Sequence, residues 1–258
     1  MNVLITAGGT SEKIDDVRKI SNTATGRLGS LLADCFLEDE GVEVTCLCSE
    51  NAVLPKNPRA TIVPVSDVQS LQAAVEEQMR ERAYDAVIHS MAVSDYTVKY
   101  SVPSEWLAAH LAKSVLNRSW DGNPEFLTAQ IHSALLAYGG GCRSKKLSSD
   151  IENLFLCLEK TPKIIGLFKK LQPQTILVGF KLLVDVEENE LLRAAETLMK
   201  RNGCDFVLAN DQKNIDETRH EAILLGKDHS LTRLHTKTEI AGAIKDHVMR
   251  KAEEDRQK

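Results

Sequence analysis

At 258 residues and 43% apolar composition, the chain can bury a sizeable core, as one large α/β domain or two small ones. A net charge of −5 and a pI near 5.9 argue against sequence-independent nucleic-acid binding, which needs a basic surface. No apolar run approaches the roughly 18 residues that a membrane-spanning helix needs, and Met1 leads into VLIT without a basic, apolar leader, so neither membrane insertion nor secretion is expected.

Short apolar runs alternate with helix-period segments, the pattern of a parallel sheet with helices on its faces. The first strand, predicted at residues 3–6, opens the run VLITAGGTSEKIDDVRKISNTATGRLG, residues 3–29. That run joins a buried strand, a glycine turn, a long polar loop and a helix start near Gly26. Ordering such a connector costs about 1 kcal/mol or more per residue, which points to something bound there. Further strands are predicted at 42–48, 62–65, 86–89, 176–180 and 206–209, their continuous apolar character suiting burial on both sides.

Ser66 and Gln69 form a candidate capping box ahead of Val68, Leu71, Val75 and Met79. Residues 100–149 hold Trp106 and Trp120 and end in three glycines followed by RSKK, read as a helical insert of two short helices and a flexible, charged flap. Thr161-Pro162 marks a helix start. Asp185 and Glu188 can cap a helix that ends in Lys200, Arg201 and Gly203. Residues 222–225 and 231–234 read as a hairpin, and Thr236 with Glu239 opens a last helix, with a charged tail at 251–258. The six cysteines include no C-x-x-C pair, and Cys46 and Cys48 share one face of a strand. Reduced, buried thiols and a cytoplasmic location are the expectation.

The candidate chemistry gathers at strand ends. Gly8 and Gly9 allow backbone to approach an anion closely, so the turn reads as a phosphate or nucleotide site or as a simple tight turn; it is neither G-x-G-x-x-G nor a Walker A loop. Arg18 offers a fork to carboxylate or phosphate and Asn22 both donates and accepts, unless Asn22 merely stabilises a turn. Ser94 and Asp95 follow the strand 86–89, where ligands of open parallel sheets bind, whereas His89 inside that strand reads as a packed core residue. Lys145 and Lys146 lie on the flap, where a lysine suits neutralising a polyphosphate, although most exposed lysines are only solvated. Phe180 could stack on a base or close the core, and Asn210-Asp211 ends another strand at the same rim.

Together these segments resemble phosphopantothenoylcysteine synthetase, the ligase step of coenzyme A synthesis, in its stand-alone bacterial form. The family's opening pattern is matched by residues 3–29, with Thr23, Ala24 and Thr25 where many members have His-Ser-Ser. Its A-A-V-(A/S)-D-Y block appears as MAVSDY at 91–96, its next block as KTPKI at 160–164, then VGF at 178–180 and AND at 209–211. The resemblance implies an α/β, Rossmann-like parallel-sheet domain over residues 1–250, with helices on both faces and a small β-rich dimerisation portion. It implies that the carboxylate of 4′-phosphopantothenate attacks a nucleoside triphosphate, CTP or ATP with Mg²⁺, and that cysteine's amine attacks the acyl nucleotidylate.

By the same resemblance, Asn22 and Lys146 are catalytic, and Arg18, Asn22 and Ala92 bind phosphopantothenate. Gly8, Gly9, Asp95, Lys146, Thr161, Pro162, Lys163, Ile164, Phe180 and Lys200 serve the nucleotide, with Lys200 and Arg201 near a basic pair of bacterial members. The flap reads KKLSS, and GFKLL with Lys181 is closer to ATP-using members, which leaves the base open. A homodimer is implied, with residues 154–158 and the hairpin near 222–234 as interface candidates, and a separate decarboxylase is expected for the next step. The rival readings are a nucleotide-sensing or scaffold protein with the same fold and an NAD(P)-dependent Rossmann oxidoreductase.

Overall fold

In the computed structural model, which describes residues 1–116, 123–139, 147–216 and 219–257, the first strand is apolar on both faces and nearly all buried, so it must run through the middle of a covered sheet. The chain divides into two compact units: Met1–Ser11, Ser21–Ser94 and Pro162–Lys258 form the first, and Glu12–Ile20 with Asp95–Thr161 the second. The elements in chain order are β1 (Asn2–Ala7), β2 (Ser11–Lys13), β3 (Lys19–Ser21), α1 (Arg27–Phe36), β4 (Glu43–Ser49), β5 (Thr61–Val65), α2 (Val68–Glu81) and β6 (Ala86–His89). Then follow β7 (Tyr96–Pro103), α3 (Ser104–Leu116), α4 (Pro124–Leu136), β8 (Leu154–Lys160), α5 (Ile165–Leu171), β9 (Ile176–Leu183), α6 (Glu188–Asn202), β10 (Phe206–Ile215), β11 (His220–Gly226), β12 (Leu231–Leu234) and α7 (Lys237–Arg256).

The first unit is an eight-stranded sheet in the order β12-β11-β10-β9-β6-β1-β4-β5. The six strands from β10 to β5 in that order run parallel, and β11 and β12 close the other edge antiparallel. One face packs Val3, Ile5 and Ala7 against Leu32 and Phe36 of α1 and Ile244 and Val248 of α7. The other packs Leu4 and Val87 against α2, α5 and α6 through Leu71, Phe168 and Ala195. Burying each such Leu, Ile or Phe contributes about 1.5–3 kcal/mol, so the two-sided core holds the sheet rather than any single contact. This is the Rossmann-like sheet with helices on both faces that the alternating pattern implied.

Helix termini follow local chemistry, with corrections to the sequence reading. The cap of α2 is Asp67: its carboxylate accepts Ser70 N–H at 2.7 Å, and the Ser70 hydroxyl accepts Asp67 N–H at 3.0 Å, one residue beyond the Ser66/Gln69 pair. Glu187, not Asp185, precedes α6, because Asp185 sits in the left-handed region at φ 51° and cannot act as an extended cap. Helix α5 begins at Ile165, three residues after Pro162, while Gly203 (φ 68°) ends α6 and Thr236 caps α7 as the sequence suggested. Arg59 clamps the end of α1, its guanidinium donating to the carbonyls of Leu37, Asp39, Glu40 and Val42. No helix among the described residues is long and apolar enough to cross a membrane.

The second unit pairs β7 with β8 antiparallel and adds α3 and α4, the two helices expected between residues 100 and 149. Tyr138 packs between Tyr100 and His110, each ring 4.9 Å away, over Val102 and Leu107. The Tyr100 hydroxyl donates to Leu135 O at 2.9 Å, which ties β7 to the end of α4.

Gly29 lets α1 touch β1: a Cβ there would lie 2.6 Å from Ala7 Cβ and 2.8 Å from Ser90 Oγ. Gly29→Ala gains about 1 kcal/mol of helix propensity but incurs about 1–3 kcal/mol of overpacking, so a net loss of stability is expected in urea unfolding. A variant more stable than the parent would show that α1 sits off the strand.

Candidate functional site

The crossover from β1 to β4 runs through α1 on one face, and that from β5 to β6 through α2 on the other, so the sheet switches direction between β1 and β6. Beyond the carboxyl ends of strands flanking such a switch a crevice forms, and ligands of open α/β sheets bind there. Here the pairing outlasts both strands. Ala92 N–H donates to Gly8 O at 2.9 Å and Thr10 N–H to Ala92 O at 3.0 Å, so Gly9 and Ala92 form a parallel bridge past the strand ends.

Two glycines shape the crevice wall. Gly8 has φ 96° and a Cβ there would lie 2.0 Å from Ser49 Oγ; Gly26 has φ 74° and its Cβ would lie 3.1 Å from Gly8 N. Only glycine suits either position. Gly26 is the N-cap of α1 and provides no side-chain hydrogen bond, so the helix's first N–H groups and the positive end of its dipole are left for an anion. Gly9 N–H donates to Ser49 Oγ at 3.2 Å, fixing the loop from β4's side.

Asn22 stands in the same unit as Gly8, Gly9 and Ala92. Its amide Nδ2 donates to Ala92 O at 3.0 Å and to Ser94 Oγ at 3.3 Å, although the residue as a whole is exposed. Phe180, half-buried, ends the apolar part of β9 on the α1 face. Asn210 stands near the end of the buried part of β10, where its Nδ2 lies 3.1 Å from His220 Nε2. That nitrogen then accepts, placing the ring proton on Nδ1, which has no partner among the described residues. Burial, followed by the Lys237 charge, lowers His220 to about 4, so it is neutral at physiological pH.

His89 is the core residue it was read to be. It packs 5.1 Å from the Phe168 ring, its Nδ1 lies 2.9 Å from Thr6 Oγ1, and burial pushes it down to about 4. Thr6 Oγ1 also accepts Met91 N–H at 3.1 Å and so fixes the start of the 91–95 loop.

Two residues expected to serve the nucleotide make other contacts within the described residues. Ile164 is only 1% exposed and packs with Phe168 in the α5 face, so its side chain is a core group. Lys200 lies in the last turn of α6, which leads into the amino end of β10, on the sheet edge opposite the crevice; its ammonium pairs with Glu196 at 3.4 Å. Arg201 shares that turn. A hollow of about 710 Å³ opens on this opposite edge, among Asn2, Tyr84, Gln172 and Arg256, away from the glycine loop. Pro162 and Lys163 connect β8 to α5 in the first unit.

The second unit carries Arg18, Asp95 and Thr161. Thr161 N–H donates to Asp95 O at 3.1 Å, which joins the two motifs at the open end of β7 and β8. Arg18 pairs with Asp15 at 3.2 Å. Asp15 is a residue that sequence reading passed over: its carboxylate accepts the N–H groups of Val17 (2.8 Å), Arg18 (2.7 Å) and Leu147 (3.1 Å). Burial opposes its charge, but those N–H groups and the Arg18 guanidinium outweigh it and hold the carboxyl below its usual range. Lys145 and Lys146 lie outside the described residues, as does Trp120; Leu147, next to Lys146, is anchored on Asp15. The three-residue spacing of Asp15 and Arg18 was the available signal.

Residues 1–114 and 140–251 match the family described as the DNA/pantothenate metabolism flavoprotein C-terminal domain. The chain belongs to that family. Residues 115–139, which hold α4, fall outside the match. The chain is 33% identical over 248 residues to the coenzyme A biosynthesis bifunctional protein CoaBC of Thermococcus kodakarensis, an alignment covering 95% of this chain and 50% of that protein. It thus spans about half the length of the curated relatives it matches first. The crystal structure of the DNA/pantothenate metabolism flavoprotein from Streptococcus pneumoniae is 36% identical with a TM-score of 0.77, covering 96% of this chain and 98% of that one. A Cab2 variant in complex with phosphopantothenate-cysteine shares the fold, at 18% identity and a TM-score of 0.65, over 98% of this chain and 86% of its own.

Asp211 governs the connection that follows Phe180's strand. Its carboxylate accepts Asp185 N–H at 2.9 Å, Val186 N–H at 3.0 Å and Lys213 N–H at 3.1 Å. Burial opposes the charge, yet these N–H groups and the Lys213 ammonium hold the carboxyl at about 2. Because the folded value lies below the unfolded one of about 3.9, this stabilisation is present above that pH and is lost as pH falls toward 2. His89 and His220, both lowered to about 4, give an earlier limb, with stability full above about pH 6.5 and declining toward pH 4. Urea midpoints against pH are expected to fall in two stages, and Asp211→Asn to remove only the lower one. A variant curve parallel to the parent's below pH 4 would contradict the assignment.

Proposed function

We propose that the chain is a phosphopantothenate–cysteine ligase of coenzyme A biosynthesis, working in the cytoplasm. The observation that carries the reading is the crevice at the β1–β6 switch, where Asn22's amide is fastened to Ala92 beside two positive-φ glycines and an uncapped helix N-terminus. Family membership and the coenzyme A proteins among the relatives support it.

In the first step a carboxylate oxygen of 4′-phosphopantothenate bonds to the α-phosphorus of a nucleoside triphosphate, and the bond to pyrophosphate breaks. In the second, the amine of cysteine bonds to the acyl carbon, the nucleoside monophosphate leaves, and the amine loses a proton. The glycine loop and the α1 N-terminus suit the phosphate charge, since donors there are already oriented and need no reorganisation as charge moves. Asn22 is assigned to the carboxylate and the acyl intermediate, with Ala92 beside it. Arg18 is assigned to phosphopantothenate, Asp95, Thr161 and Phe180 to the nucleotide, and Lys146 to turnover.

Among the described residues no cluster of three or more His, Cys, Asp or Glu side chains is built to hold a metal. Mg²⁺ therefore fits as a companion of the triphosphate, bound largely by its oxygens and water, rather than as a resident ion. CTP and ATP both remain as cosubstrates for the test below, and a decarboxylase would consume the product.

A homodimer is part of the same reading. The β7–β8 ribbon exposes Tyr96, Phe155 (53%) and Leu158, and a two-stranded ribbon is marginal alone in water. Burying Phe155 against a second copy would make Phe155→Glu a monomer by analytical ultracentrifugation while the parent sediments as a dimer; a parent that sediments as a monomer removes this part.

The deciding assay is pyrophosphate release with 4′-phosphopantothenate, cysteine and Mg²⁺, run with CTP and with ATP. Release that requires phosphopantothenate is expected in one lane at least. Asn22→Asp places a carboxylate beside the substrate's own and is expected to lower turnover about a hundredfold, the scale for loss of one oriented polar group, with unchanged unfolding. Nucleotide binding without release would favour the nucleotide-sensing reading, and full turnover in Asn22→Asp would displace Asn22 from the site.

A further inference from the structure

We propose that Thr10 and Ser94 are positioning residues that hold the Asn22 amide in one orientation, and that this orientation sets the rate of the reaction. The kinetic part rests on the ligase reading above; the positioning part does not.

Thr10 is fully buried and tied into the switch point through its N–H on Ala92 O. Its hydroxyl oxygen accepts Ser94 N–H at 2.8 Å, and its proton goes to Ser94 Oγ at 2.9 Å. The two residues, one following β1 and the other β6, thus lock each other through both a backbone and a side-chain atom. Ser94 Oγ then accepts a second proton, from Asn22 Nδ2 at 3.3 Å, while Ala92 O takes the other at 3.0 Å.

Asn22 is further fixed by its own N–H on Thr10 O at 3.2 Å and by the bare backbone of Gly9, where a Cβ would stand 2.9 Å from Asn22 Cβ. An exposed asparagine ordinarily samples several rotamers, and its amide flips freely. Here both amide protons go to protein acceptors, so Oδ1 is the amide atom left to a ligand. Ala92 O can only accept and so selects Nδ2, and Thr10 reinforces that choice: its hydroxyl donates to Ser94 Oγ, which leaves Ser94 Oγ an acceptor toward the same Nδ2. A substrate-facing group that is already oriented contributes to rate rather than to binding alone.

Ser94→Ala removes the acceptor, Thr10→Val removes both the donor to Ser94 Oγ and the acceptor of Ser94 N–H while keeping the shape, and Thr10→Ser restores both. Loss of one such neutral hydrogen bond corresponds to about a fivefold to tenfold fall in kcat. We expect that fall in Ser94→Ala and Thr10→Val, with KM for the nucleotide unchanged and near-parental kcat in Thr10→Ser. In an Asn22→Ala background, Ser94→Ala is expected to cost nothing further, because it acts only through Asn22. Parental kcat in Ser94→Ala, or the same loss with and without the Asn22 side chain, overturns the proposal.

The second readout needs no turnover: the side-chain amide protons of Asn22 followed by ¹⁵N-resolved exchange. Slowed exchange in the parent that is lost in Ser94→Ala supports the proposal, and free exchange in both overturns it. A parent that releases no pyrophosphate sinks the ligase reading, while the exchange arm still decides on Thr10 and Ser94.

Discussion

The pairing of β1 with β6 is the constraint on which the rest depends. It places the most apolar strand in the middle of the sheet, sends α1 and α2 to opposite faces, and leaves the loops after both strands to meet at one edge. Because the ladder continues through Gly8, Gly9, Thr10 and Ala92, those loops are part of the sheet's hydrogen bonding rather than appendages to it. Backbone groups that would otherwise sit unpaired at a crowded strand end are satisfied, and the crevice inherits the rigidity of the core.

The groups that shape this crevice are neutral: Thr6, Ser49, Thr10, Asn22, Ser90 and Ser94 make its hydrogen bonds. His89, which fixes Thr6 from beneath, is neutral as well because its surroundings are apolar. None of these side chains carries a charge, and a helix terminus and backbone dipoles add their field to the crevice. Charged scaffolding lies elsewhere, as where Asp211 gathers the turn after β9 and where Asp15 gathers its own turn in the second unit.

Much of this was legible from residue order. Continuous apolar runs marked every parallel strand, since burial on both faces erases the polar alternation that would hide a strand's limits. The ends of β9 and β10 were missed because both strands break their apolar run at the rim, at Lys181 in β9 and at Asn210 in β10. Helix starts were misplaced where two neighbouring residues could cap: Asp67 and Ser66 both precede α2, and only backbone geometry chooses between them. Lys200 was assigned by resemblance, and a motif read along the chain does not say which edge of a sheet it reaches; α6 brings it to the amino edge. The Thr10–Ser94 lock and the Asp15 anchor were invisible for a different reason. Short polar side chains look alike in any loop, and their partners lie far off in sequence.

The last helix packs beside α1 and over β9 and β11, on the same face of the sheet. Val3 and Ile5 of β1, Leu32 and Phe36 of α1 and Ile240, Ile244 and Val248 of α7 belong to one apolar cluster on that face. During synthesis the part of that face over β9 and β11 stays open to water until α7 has been made, although α1 is already available to cover β1. Such long-range closure is slow and leaves apolar surface exposed meanwhile. A chain cut short within α7 would therefore lose more than a helix: it would present the cell with a nascent sheet bare on one face at β9 and β11.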